Sequence, residues 1–426
     1  MASSRSAAAA ALAVVLLLAG CGAGQEPQVD VSVAPPPGCA TSGMAVTAPA
    51  AGAAVAAGPL LVAGSTPAAS STVYWSVRDG AGLEVSSGST AGTGNSFLAP
   101  VDLAAGPYTA QLWSVASDGS CAVTGTALQV DPAGAPRWSA AVAGEGVPDG
   151  SFGSWRGSPV PMAGTWADST DGQTALWPLT GEYASWTGDL EIAIGAIDSG
   201  AGESWAAAAQ GAYDARWTES LQQAARLWSG HSGTLYIRFA HEFNGDWYPW
   251  SVTQASVGDF VTSWQRFRAL QQQLFPASRL VFSPNWESDA DFGGDWRAAF
   301  PGAGQVDVLS TSYYNNWSYV DTAQAFGQLA LTYDPFGGPR GLQRHLEFAR
   351  SVGLPFGISE WGAESGFGDS AVYVEQMYGF FNANAGTGGG QLQYEILFNE
   401  LMDSRSFSLF PTTSLPNTAA AYARLW

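Results

Sequence analysis

The chain has 426 residues, enough for two or three domains and a sizeable core. Only 12% of the residues are charged, yet 36 acids against 16 bases leave a net charge of −20. A surface so acidic repels phosphate backbones and excludes a nucleic-acid partner.

Residues 1–21 read as a targeting signal. Arg5 precedes an apolar run from Ala7 to Ala19 that is too short to span a bilayer comfortably. The run closes on Leu18, Ala19, Gly20 and Cys21, which looks like a bacterial lipobox with Cys21 as the lipidated residue. The expectation is an extracytoplasmic protein, lipid-anchored to the outer face of the cell membrane or secreted, and monomeric. Residues 22–40, rich in Gly, Pro and Val, read as a flexible tether. With Cys21 lipidated, Cys39 and Cys121 are left as a candidate disulfide in an oxidising compartment; two free thiols are the alternative.

Residues 41–131 carry short alternating runs, such as Thr72 to Val77 and Tyr108 to Val115, separated by Gly, Pro and Ser. This pattern predicts a small antiparallel β-sandwich that resembles immunoglobulin-like modules and serves as a spacer. Trp75 and Trp113 are expected in its core rather than on a sugar-binding face. Residues 132–136 form a linker. From 137 to 426 the pattern changes to strands alternating with helices, which predicts a (β/α)8 barrel.

Eight strands are predicted: Gly150–Trp155, Pro159–Trp166, Leu190–Ile197, Thr234–Ala240, Arg279–Ser283, Val306–Tyr313, Pro355–Glu360 and Gln391–Phe398. Trp205, Ala209, Tyr213, Trp217 and Leu221 share one helical face, as do Trp264, Phe267, Leu270 and Leu274. A third helix is predicted from Gln343 to Val352, before Gly353. Chemistry in such a barrel sits at the C-terminal ends of the strands.

Two strand ends stand out there. After the fourth strand come Arg238, His241, Glu242, Asn244 and Gly245, followed by Trp247, Tyr248 and Trp250. A buried Arg238–Glu242 ion pair with aromatic packing would explain the charges, but not three aromatics in a loop. A zinc-protease reading fails, because Gly245 occupies the position of the second histidine that such a site requires. With only three histidines, at 231, 241 and 345, no metal site is expected. The seventh strand ends Ile358, Ser359, Glu360, Trp361, Gly362. Glu242 and Glu360 would therefore face one another across the barrel mouth.

These two runs resemble the acid/base motif and the nucleophile strand of glycoside hydrolase family 26, best known for β-mannanases. Val281 to Asn285 and Asp307 to Tyr314 are similar to that family's fifth and sixth strands. The resemblance implies a retaining mechanism without cofactor, acting on a polysaccharide. Glu242 would be the acid/base and Glu360 the nucleophile, with carboxyls about 5–5.5 Å apart. It implies substrate-site roles for Arg238, His241, Asn244, Trp247, Tyr313, Tyr314, Trp361 and Phe398. Either Tyr313 or Tyr314 would bond the nucleophile, and Trp247 would stack on a sugar. The third strand lacks the family's histidine, and Phe398 replaces its tryptophan on the eighth. The glycan is thus open between β-mannan, β-glucan, xylan and exopolysaccharide. A non-catalytic polysaccharide-binding lipoprotein is the alternative. Glu400 and Asp403 follow the eighth strand, where sugar contact and plain solvation fit equally.

Overall fold

The computed structural model describes residues 34–69, 71–402 and 405–426. Cys21, the signal, most of the tether and Asp403 lie outside them.

Short β-rich runs separated by turns form the first eight strands. These are β1 (Ala45–Ala48), β2 (Ala54–Ala56), β3 (Gly58–Ser65), β4 (Thr72–Asp79), β5 (Glu84–Ala91), β6 (Ser96–Leu103), β7 (Gly106–Val115) and β8 (Cys121–Asp131). One sheet has the order β1-β3-β6 and the other β2-β8-β7-β4-β5. Val73, Trp75, Val77, Phe97 and Leu112 are buried together between these strands, whereas Trp113 is buried on the other face of its sheet, stacked on Tyr74. Cys39 and Cys121 are joined by a disulfide.

The remaining strands are β9 (Ser139–Gly144), β10 (Met162–Trp166), β11 (Asp189–Ile194), β12 (Leu235–Phe239), β13 (Arg279–Phe282), β14 (Val308–Leu309), β15 (Ser312–Asn315), β16 (Phe356–Ala363) and β17 (Leu392–Asn399). All pair in parallel. β14 and β15 are successive pieces of one stave, and the sheet closes through β17–β9 and β14–β16. The result is an eight-staved parallel barrel.

The first stave is a correction. Gly150–Trp155, expected as a strand, lies almost wholly in helix α1 (Ser151–Arg156), which Gly157 ends in a left-handed turn. Ser139–Gly144 takes the strand's place. Its small residues resemble a linker, but they fit the crowded barrel interior. Ala141 and Ala143 face inward with Met162, Tyr236, Val281, Val308, Tyr394 and Ile396. Ala140 and Val142, one residue out of step, pack outward with the helices.

The helical layer comprises α2 (Gly172–Ala175), α3 (Trp177–Thr180), α4 (Trp205–Ala209), α5 (Asp214–Leu227), α6 (Val257–Leu274), α7 (Ala323–Ala330), α8 (Leu342–Val352), α9 (Ala371–Asn384) and α10 (Pro416–Leu425). The apolar face read from Trp205 to Leu221 is broken in two at Gly211, whose φ of +88° no helix accommodates. Helix α8 ends at Gly353 in a left-handed C-cap. Ser370 caps the first turn of α9 by accepting from Tyr373 N. The N-terminal sheets rest on this layer: the Asn382 amide of α9 bonds Ala56 N, Ala56 O and Pro59 O.

Candidate active site

Strand parity decides which side chains enter the barrel. On β12, Leu235, Ile237 and Phe239 pack outward, so Tyr236 and Arg238 point inward. Glu191 of β11 is in register with Tyr236 and is likewise buried. Strand β16 departs from simple alternation. Between Ile358 and Trp361 it carries one residue more than its partner β17. Such a bulge re-aims side chains, and Ser359 and Glu360 both find partners inside the barrel.

Glu360 sits among donors. The Arg238 guanidinium bonds Oε1, Trp166 Nε1 donates to the same oxygen over 3.2 Å, and the Tyr314 hydroxyl donates to Oε2 over 2.5 Å. Arg238 is shared with Glu191, whose carboxylate lies 3.4 Å from its Nε. Glu191 in turn accepts from Ser359 Oγ at 3.0 Å and from the Tyr394 hydroxyl at 2.6 Å. Burial by itself would lower the Arg238 pKa, but the charges of Glu360 and Glu191 reverse that and raise it. The barrel floor is therefore a fixed cation between two carboxylates, with Glu360 uppermost.

Glu242 lies just past the end of β12, which closes at Phe239. The chain leaves that strand through two left-handed residues, Ala240 and Glu242, each with φ of 50°. Side chains rarely adopt this conformation, and each instance costs on the order of 1–3 kcal/mol. Backbone bonds from Ala240 N to Ile194 O and from Glu242 N to Ser283 O hold the strained turn against both adjacent strands. The carboxyl accepts from Trp247 Nε1 at 3.0 Å and from Asn285 Nδ2 at 3.1 Å. Burial first, and the negative charge of Glu360 second, raise its pKa above the ordinary value. The two glutamates thus differ in kind: one touches a guanidinium, the other only neutral donors.

The residues expected to touch substrate separate into three groups. Trp247 is 51% exposed, and Tyr314 and Phe398 meet edge to face at 5.6 Å beside Glu360. Arg238, His241 and Asn244 are buried below the mouth. The Asn244 side chain is taken up by Asn285 N, Asn285 O and Glu287 O, so it ties two loops together. His241 lies under Tyr248 and Trp250, and burial, then Arg238, keeps it neutral. Its Nε2 is 3.9 Å from Asp168, too far for a hydrogen bond. Tyr313 and Trp361 face the helices instead. Tyr313 packs on Trp286, and Trp361 packs among Phe381, Tyr422 and Trp426. Of the two tyrosines, Tyr314 is the one whose hydroxyl reaches Glu360.

Sequence reasoning passed over Glu191 and Trp166 as site residues. Glu191 had a legible signal, a carboxylate inside the apolar run Leu190 to Ile194. Trp166 had only its place at the end of the second predicted strand, since its contact with Glu360 crosses 194 positions of sequence.

No family model matches the chain. Endoglucanase H of Acetivibrio thermocellus is 27% identical over 164 residues, which is 37% of this chain and 17% of that protein. The chain therefore spans a small part of the curated relative it matches. The structure of GH26C from Muricauda sp. MAR_2010_75 aligns over 68% of this chain and 86% of its own, with 14% identity and a TM-score of 0.46. Bacteroides uniformis beta-glucuronidase 2 aligns over 84% of this chain and 46% of its own, with 11% identity and a TM-score of 0.37.

Proposed function

We propose that the chain is a retaining glycoside hydrolase of the family-26 type, acting outside the cytoplasm on a β-linked polysaccharide. One observation carries the reading: two buried carboxyls, one just past β12 and one within β16, stand in opposite electrostatic surroundings. A double displacement needs such a pair, one protonated and one ionised. The match to a stretch of endoglucanase H points the same way.

In this reading Glu360, paired with Arg238, attacks the anomeric carbon. Tyr314 fixes its other oxygen and lies where charge develops at the ring oxygen. Glu242, neutral because it is buried beside another acid, protonates the departing glycosidic oxygen. Once Glu360 is esterified its charge is gone, the Glu242 pKa falls, and Glu242 becomes the base that activates water. Trp247 orients Glu242 through its indole N–H and offers its exposed face to the sugar on the leaving side. Glu191 is a positioning residue that acts through Arg238. Lipid attachment at Cys21, and an immunoglobulin-like spacer role for the N-terminal sheets, complete the proposal.

The test is a panel of mannans, β-glucans and xylans with the full chain. Glu360→Ala should abolish hydrolysis, by at least about a thousandfold, while polysaccharide binding persists. Full activity in that variant would refute the nucleophile assignment. Product stereochemistry read by NMR should show the retained anomer first, and inversion would refute the mechanism.

A further inference from the structure

A cavity of about 560 Å³ opens at the C-terminal ends of β9, β10 and β17. Strands four and eight lie opposite one another in the barrel order, so this cavity and Glu242 are on opposite sides of the mouth. Trp166 joins the two regions: it lines the cavity and donates its indole N–H to Glu360. The wall holds a second indole, Trp177, which is 48% exposed. Trp177 follows Leu176, one of only three non-glycine residues with positive φ among the described residues; the other two are Ala240 and Glu242. Leu176 buries its own side chain, and the strained turn there puts the following indole at the surface. Glu145, Asp149, Glu182 and Glu400 complete the rim, and no Lys, Arg or His lines it among the described residues.

We propose that this cavity is a distal glycone subsite, in which Trp177 stacks on a sugar ring and the acidic rim admits only sugars without negative charge. The inference rests on the hydrolase reading above. Glu242 protonates the leaving group, so the leaving side lies by Trp247 and the retained chain runs the other way, past Trp166 and into the cavity. An indole face suits the apolar face of a pyranose. Carboxylates accept hydrogen bonds from sugar hydroxyls, whereas a uronic acid would meet four like charges without a counterion. Burial and the neighbouring Glu182 and Glu145 already raise the Glu400 pKa, so a further anion would add to that repulsion. An occupied cavity on the retained side also implies a retained chain longer than one unit.

The experiment uses the full chain and nitrophenyl β-oligosaccharides of mannose and of glucose with increasing glycone length. In the wild type, kcat/KM should step up when the glycone becomes long enough to reach the cavity. Trp177→Ala should remove about tenfold of that step. The Glu182→Gln/Glu400→Gln double variant should narrow the preference for a neutral chain over one ending in glucuronic acid, again by about tenfold. Melting temperatures check that all variants fold. A loss equal at every length, or an unmoved preference, would overturn the proposal. If the wild type hydrolyses none of the probes, the hydrolase reading fails. The subsite is then judged by calorimetric binding of the same oligosaccharides, and equal affinity for wild type and Trp177→Ala would sink it.

Discussion

Gly245 shows how one absent side chain sets the reacting group. A Cβ at this position would come within 2.4 Å of the Trp247 ring, far inside contact distance. The indole folds back over this gap to reach Glu242 Oε2. Gly245→Ala must push the ring away and break that bond, while the buried core below is untouched. The expected outcome is a loss of about tenfold or more in kcat/KM, with the melting temperature nearly unchanged. Kinetics on the same oligosaccharides check it, and a variant as active as the wild type would show that Trp247 does not orient Glu242. The glycine was legible in sequence as part of the run after the fourth strand and as the residue that excludes a zinc site. Its steric role depends on the loop's path, which local pattern does not encode. The same limit explains Asn244. A polar residue beside Glu242 reads as a substrate ligand, yet its amide is consumed by backbone groups 41 and 43 positions away.

At the scale of elements, strand order and the placement of both glutamates were legible, because an apolar β-rich run ending in a carboxylate is a local signal. Strands expected to end near Ala240 and Glu360 do lie in β12 and β16. What local signal missed was parity. The extra residue in β16 turns Glu360 inward and Trp361 outward, and a bulge is visible only against the partner strand. Trp361 consequently serves a different cluster. Glu395 of β17 faces the helices and accepts three indole N–H bonds, from Trp138 at 3.2 Å, from Trp426 at 2.8 Å and from Trp361. Burial pushes its carboxyl up to about 8 despite these donors. The cage ties β9, β16 and the C-terminal Trp426 to one strand. Glu395→Gln replaces one acceptor oxygen with an amide NH2, which must confront at least one indole N–H. An unsatisfied buried donor costs roughly 1–3 kcal/mol, so the melting temperature should fall by several degrees. Calorimetry decides the matter, and an unchanged transition would mean that the cage contributes nothing to stability.

Considered whole, the molecule is not a barrel with a loosely attached leader. The spacing of residues 132–136 suggests separable parts, but side chains on α8 and α9 reach into the N-terminal sheets. Arg344 donates to Ser96 Oγ and to Thr93 O, and Gly379 lets the backbone of Leu60 approach α9, where a Cβ would sit 3.3 Å from Leu60 N. Asn382 is the centre of this seam, because it satisfies two carbonyls and one N–H of a backbone that water does not reach. A flexible spacer would not need such a residue. Asn382→Ala leaves those three groups without partners at a cost of about 2–4 kcal/mol, less than three full penalties because neighbours relax. The active face is built from strand ends and loops that do not include Asn382, so kcat/KM per folded molecule should hold while the melting temperature drops. Two resolved calorimetric transitions in the variant, where the wild type shows one, would place the loss at the seam. A melting curve identical to the wild type would show that the seam contributes nothing to stability.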